Sequence, residues 1–118
     1  MADAALFIGW GTPVRGREQK AIQVFNESMA YWGQLQQQGA IEAFEAYLLE
    51  PHGGDLGGFA LLKGDAAKLD EVRRSDDFQR MVTRAQLIVE SLGVVPATTG
   101  QALAAQMGTL TAQAAELA

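Results

Sequence analysis

Apolar residues recur along the chain in two rhythms, short runs of strand length and longer stretches of helical spacing. Residues 5 to 12, Ala-Leu-Phe-Ile-Gly-Trp-Gly-Thr, form a run rich in strand formers and predict a first strand, closed by Thr12-Pro13 and Gly16. From Arg17 to Gln37 the period changes. Ile22, Phe25, Met29 and Trp32 are spaced three, four and three apart, which puts them on one face of a helix that Gly39 would stop. Ile41 to Leu49 has the length and residue types of a second strand, and Phe59 to Lys63 those of a third, ended by Gly64-Asp65. Pro51-His52-Gly53-Gly54-Asp55 between them is a turn cluster, so these two strands read as a long hairpin with a glycine-rich loop.

The second half repeats the helix-to-strand order. Ala66 to Arg74 is helical, with Leu69 and Val72 on one side. Ser75 is a good N-cap for a further helix, and Asp76 and Asp77 suit the positive end of its dipole. Phe78, Met81, Val82, Ala85, Ile88 and Val89 carry that helix to about Ser91, although Leu87-Ile88-Val89 has the composition to open a strand. Gly93 to Thr98 is the fourth strand. Leu103, Met107, Leu110, Ala114 and Leu117 then mark a tail helix from Gly100, with Thr99 as its cap. An alanine-rich helix of this length is marginal alone, so it is expected to pack against something.

Strand, helix, strand, strand, helix, strand is the split βαβ, or ferredoxin-like, order of an α+β fold. A single domain is expected over residues 1–118, with its core at 4–98 and a helical tail at 100–118. This plan puts both crossover helices on one face of an antiparallel sheet, so the other face should be polar. The alternation says otherwise. Leu6, Ile8 and Trp10 oppose Phe7; Phe44, Ala46 and Leu48 oppose Ile41, Ala43, Tyr47 and Leu49; Phe59 and Leu61 oppose Ala60 and Leu62. Both faces are largely apolar, and a second copy of the same sheet is the simplest cover for the one without helices. A homodimer joined through the sheet faces is therefore expected.

Composition narrows the chemistry. The chain of 118 residues is 48% hydrophobic and 19% charged, which excludes a disordered chain. It holds no cysteine, which removes disulfides, zinc thiolates and a thiol nucleophile, and one histidine, which removes a multi-histidine metal site within one chain. Nine basic residues face fourteen acidic ones. The bases fall at Arg15, Arg17 and Lys20 and then between Lys63 and Arg84, where acids interleave them. That reads as a solvated mixed-charge face, and nucleic acid is not an expected partner. No run approaches the length of a membrane span, and the opening residues lack the pattern of a signal peptide, so a cytoplasmic protein without membrane partners is expected.

The element order, the two apolar sheet faces and the short length resemble the dimeric α/β barrel group of ferredoxin-like proteins. Gly16-Arg17-Glu18, Pro51-His52-Gly53-Gly54-Asp55-Leu56 and Ser75-Asp76-Asp77-Phe78 are similar to segments of small uncharacterised bacterial proteins of that group. The resemblance covers about residues 4 to 98. The wider group includes cofactor-free monooxygenases, haem-degrading enzymes, lactone isomerases and proteins with no known activity. It therefore implies a fold and a dimer rather than one reaction.

Five residues are candidates for a site. Glu45 and Tyr47 share one side of the second strand, two residues apart. A carboxylate enclosed among apolar neighbours suits general acid–base work with Tyr47 as hydrogen-bond donor, while a solvated rim position is the plainer reading. His52 titrates nearest neutrality and is a candidate proton-transfer group or axial haem ligand, against the plainer reading of a surface turn residue. Trp10, between Gly9 and Gly11, suits the wall of a small-molecule pocket or simple core packing. Arg17, with Arg15, opens a helix whose free N–H groups favour an anion, although Glu18 satisfies the same dipole. No metal-ligand spacing is present, and no cofactor is named by any motif. The expectation is a small-molecule enzyme of cofactor-free oxygenase or isomerase type, with Glu45, His52 and Tyr47 as catalytic groups and Trp10 and Arg17 as ligand contacts. The alternative is a non-enzymatic dimeric module that binds a ligand or partner.

Overall fold

A computed structural model describes residues 2–118. The elements run β1 (Ala4–Trp10), α1 (Glu18–Gln37), β2 (Ala43–Leu48), β3 (Gly58–Gly64), α2 (Ala66–Arg74), α3 (Asp76–Gln86), β4 (Gly93–Thr98) and α4 (Gly100–Glu116). All strand pairings are antiparallel, and the sheet order is β2-β3-β1-β4. This is the α+β architecture expected from the element order.

Register sorts the side chains into two faces. Leu6 pairs with Leu62 and Pro96, and Leu62 with Phe44; Ile8 pairs with Ala60 and Val94, and Ala60 with Ala46. This set meets the helices. Leu6, Ile8, Ala60 and Leu62 are buried there with Trp32, Leu35, Ile41, Leu69, Val72 and Phe78. A second, smaller cluster joins Ala21 and Val24 of α1 to Ile88. On the opposite face Phe7 pairs with Leu61 and Val95, Leu61 with Glu45, and Phe59 with Tyr47. No helix among the described residues covers that face.

Local chemistry explains the helix starts. The Asp65 carboxylate accepts from the Lys68 N–H at 3.2 Å and caps α2. Ser75 caps α3 by accepting from the Phe78 N–H at 3.3 Å, with Asp76 and Asp77 in the first turn. Thr99 occupies the N-cap position of α4 but makes no side-chain cap bond; its N–H donates instead to the Asp3 carbonyl at 3.0 Å.

Three boundaries and one helix face differ from the sequence expectation, each for a tertiary reason. The strand predicted to Thr12 ends at Trp10, and the helix predicted to Ser91 ends at Gln86, because the segments that follow them pair with each other. Gly11 N–H donates to the Glu90 carbonyl at 2.7 Å, Glu90 N–H to Thr12 at 2.9 Å, and Val14 N–H to Ile88 at 2.9 Å. Ile41 lies before β2 and is turned into the helix-side core, its N–H directed to the Leu35 carbonyl. The buried face of α1 is Ala21, Val24, Ser28, Trp32 and Leu35, one residue away from the stripe of large groups, and leaves Ile22 55% exposed.

Replacing Ser75 with alanine should lower folding stability by about 1 kcal/mol, since it removes the cap of α3. Urea unfolding checks this, and an unchanged midpoint would mean that α3 starts without help from the hydroxyl.

Candidate functional site

The two buried clusters do not meet everywhere. Between them the N-terminal half of α1 stands off the sheet and leaves a cavity of about 500 Å3. Its lining comes from Ile8 and Trp10 of β1, Ala21, Phe25, Ser28 and Trp32 of α1, Ala85 of α3, and Ile88 and Leu92 beyond it. Ile22 and Leu48, 55% and 72% exposed, also line it and form an apolar rim. Sealed and dry, a void of this size would cost about 12 kcal/mol at the rate measured for engineered cavities, comparable to a whole domain's stability. The cavity is instead open to solvent, and its volume lies in the range of small-molecule pockets.

Glycines make room for the aromatic wall. A Cβ on Gly58 would lie 2.9 Å from the Trp10 ring and 2.7 Å from the Tyr47 carbonyl oxygen. Without that Cβ, the Trp10 indole lies along Gly58 and meets Phe25 edge-on at 5.9 Å. Gly11 is approached by the carbonyl oxygens of Asp55 and Glu90, each 2.9 Å from where its Cβ would be. The glycines around Trp10 thus mark close approach rather than a bulge.

No lining side chain is ionisable; Thr12 and Ser28 supply the only hydroxyls. Ser28 Oγ already donates to the Val24 carbonyl at 2.8 Å. The rest of the lining is aliphatic or aromatic, with the Trp10 and Trp32 indole N–H groups as its other polar side-chain groups.

Of the sequence candidates, Trp10 is in this lining and the other four are not. Glu45 and Tyr47 are brought together on the uncovered sheet face, where the Tyr47 hydroxyl donates to Glu45 Oε2. That bond raises the Tyr47 pKa, because a phenol donating to a carboxylate resists losing its proton. Tyr47, Phe59 and Phe7 stack in a row across three strands, with ring centroids 4.9 and 5.3 Å apart. Gly9 belongs to this row: its missing Cβ leaves space for the Phe7 ring, which would otherwise lie 2.6 Å from it.

His52 is exposed in the hairpin loop and spends both ring nitrogens on it. Nε2 lies 2.6 Å from the Leu56 carbonyl oxygen, and Nδ1 accepts from the Gly54 N–H at 3.2 Å. Both ring nitrogens are thus engaged within the loop itself. Arg17 sits exposed at the N-cap position of α1 without a side-chain cap bond. No group of three acidic or histidine side chains among the described residues is arranged to hold a metal ion.

Outside the cavity, Glu27 and Arg84 join α1 to α3: Arg84 Nη2 donates to Glu27 Oε1 at 2.8 Å and Nε at 3.1 Å. Hydrogen bonds from Gln23 and Arg84 hold the Glu27 carboxyl below its ordinary value of 4.5, and those from Arg74 and Arg73 hold Asp70 below 3.8.

The lining residues Phe25, Ser28 and Ala85 were not legible as a site. Their signal is weak but present: Ala21, Ser28 and Ala85 are small residues on otherwise apolar helix faces.

No protein-family profile and no curated protein sequence matches the chain. Solved structures do. An ethyl tert-butyl ether D (EthD) family protein from Bacillus halodurans is 10% identical over 85% of this chain and 100% of its own, with a TM-score of 0.64. The chain has the ferredoxin-like fold. A dimeric ferredoxin-like protein of unknown function from Jannaschia sp. superimposes with a TM-score of 0.64 at 16% identity, over 81% of this chain and 99% of that one. SnoaB, a cofactor-independent oxygenase from Streptomyces nogalater, does so with a TM-score of 0.54 at 16% identity, over 84% and 95%.

Two measurements check this picture. His52→Ala should unfold within about 0.5 kcal/mol of the wild type, as surface substitutions do; a loss of several kcal/mol would make the loop part of the core. Because the folded pKa values of Glu27 and Asp70 are depressed, their contribution is present above the unfolded values and lost as pH falls through the folded ones. Stability should therefore fall on the acid side, and Glu27→Gln should flatten that limb; an acid limb identical to wild type would show that the Arg84 pair is not felt.

Proposed function

We propose that the protein is a homodimer in which each chain binds a flat, largely apolar small molecule in the cavity between α1 and the sheet. The observation that carries this reading is the lining itself: about 500 Å3 walled by Trp10, Phe25 and Trp32, rimmed by Ile22 and Leu48, and free of ionisable groups. The dimer is supported by the uncovered apolar sheet face and by solved neighbours described as dimeric. On that face Glu45 and Lys63 are one acid and one base, so two copies can meet there without net charge.

A second reading, a cofactor-free oxygenase or isomerase, is favoured by the likeness to SnoaB and by the Glu45–Tyr47 pair. Pairing of the sheets would enclose that carboxylate among aromatic rings, where it would serve as proton acceptor and Tyr47 as donor. His52 and Arg17 would act at the loop and at the helix start, as a proton carrier and an anion contact. The apolar cavity supplies none of these groups, which is why binding is placed first.

Trp10 and Trp32 are the only tryptophans in the chain, and both line the cavity. Titration with a neutral naphthoquinone should quench their emission with one molecule per chain. Ala85→Phe, which fills the cavity, should weaken binding by about tenfold or more, or roughly 1.4 kcal/mol. Quenching that is unaffected by Ala85→Phe in a folded variant would remove the cavity as the site. For the second reading, dioxygen uptake with phenolic substrates should be lost in Glu45→Gln and reduced in Tyr47→Phe; equal uptake in both would exclude the pair from catalysis.

A further inference from the structure

The chain ends in a helix that touches almost nothing. None of the residues of α4 is buried; Leu103, Met107 and Leu110 are 45%, 51% and 59% exposed, and Leu117, at its C-cap, 84%. Its start is held rather than loose, by the Thr99 N–H bond to Asp3 and by Gly100 at φ 62°, close to the Ala2 carbonyl. The helix therefore projects from the sheet edge. The radius of gyration is 16.4 Å, where a compact chain of this length would have about 13.5 Å.

The exposed residues follow one spacing. Leu103, Met107, Leu110, Ala114 and Leu117 are separated by four, three, four and three, an unbroken heptad seam. A helix made to lie on a broad core surface carries a wider apolar stripe; a narrow seam of this period suits another helix. The remaining surface is alanine, glutamine, threonine and glycine, with Glu116 as the one charged side chain, so two such helices meet without repulsion.

We propose that α4 pairs along this seam with α4 of a second copy of the chain, within the same dimer; this rests on the sheet-to-sheet dimer proposed above. Area argues for it. Four strands of about 20 Å present roughly 400 Å2 per protomer, so the sheets alone remove about 800 Å2 of surface. A stable interface removes about 1,200–2,000 Å2. Two helices of 17 residues, each about 25 Å by 10 Å, add roughly 500 Å2 and bring the total into that range. The pairing also answers why an alanine-rich helix, marginal in isolation, holds its length.

The absence of cysteine makes the test clean. Leu110 is the middle of the seam, so it faces its own copy whether the helices run parallel or antiparallel. Under mild oxidation Leu110→Cys should form a covalent dimer on a non-reducing denaturing gel, while Ala112→Cys, on the opposite side of α4, should not. Leu103→Glu with Leu110→Glu should weaken the dimer at least tenfold by sedimentation, with unchanged near-ultraviolet circular dichroism. If the wild type is a dimer, but Leu110→Cys links no faster than Ala112→Cys or the double variant dissociates no more readily, the helix pairing is wrong and the sheet dimer stands. A monomeric wild type removes the sheet dimer, and this proposal with it.

Discussion

The structure turns on one imbalance: a four-stranded sheet with two apolar faces, in a chain whose helices cover only one. Burial is worth about 25 cal/mol per Å2 of apolar surface, so the helix-covered face, with Leu6, Ile8, Ala60 and Leu62 beneath α1 and α2, supplies most of what the isolated chain can gain. The other face is not a chance scatter of exposed groups. Phe7, Phe59 and Tyr47 form a stacked row, and Gly9 is shaped to admit it. An ordered aromatic row open to water is unusual for a monomer and natural for an interface. The projecting α4, with its own narrow apolar seam, leaves the same need unmet at the edge of the sheet.

The covered face carries the second consequence. Small residues on α1 and α3, Ala21, Ser28 and Ala85, leave volume unfilled between the helix layer and Trp10 of the sheet. The resulting cavity divides the buried residues into two clusters, with Leu6 and Phe78 in one and Ala21 and Ile88 in the other. Structure and chemistry are therefore separated by the sheet. The apolar cavity lies on its helix side, and the only close carboxylate–phenol pair of the site candidates, Glu45 with Tyr47, lies on the other. The cavity is built from one chain; enclosing Glu45 would take two.

Much of the fold was legible because it rests on local periodicity. The limits of α2 and of β4 coincide with the sequence reading, and Ser75 caps α3 as its residue type and neighbours imply. What failed was set by distant contacts. Residues 88–90 leave the helical pattern because residues 11–14 offer backbone partners that no local rule reveals. Ile22 shares a helical stripe with Phe25 and Trp32 but marks a rim, since the turn of α1 is set by Ala21, Val24 and Ser28 against the rest of the fold. The proximity of Glu45 to Tyr47 followed from strand alternation alone. The cavity could not be foreseen in the same way, because its volume is the difference between three packed elements and appears in none of them singly.

The sheet-to-sheet dimer is tested most directly by one substitution on the uncovered face. Leu61 lies there beside Glu45 and Phe7, away from the helix-side core. Leu61→Asp should leave the fold intact and break association, because its neighbours face outward. Sedimentation equilibrium at micromolar concentration should then give twice 12.6 kDa for the wild type and 12.6 kDa for the variant. A wild type that sediments at 12.6 kDa, or a variant that stays at twice that mass, would contradict the account.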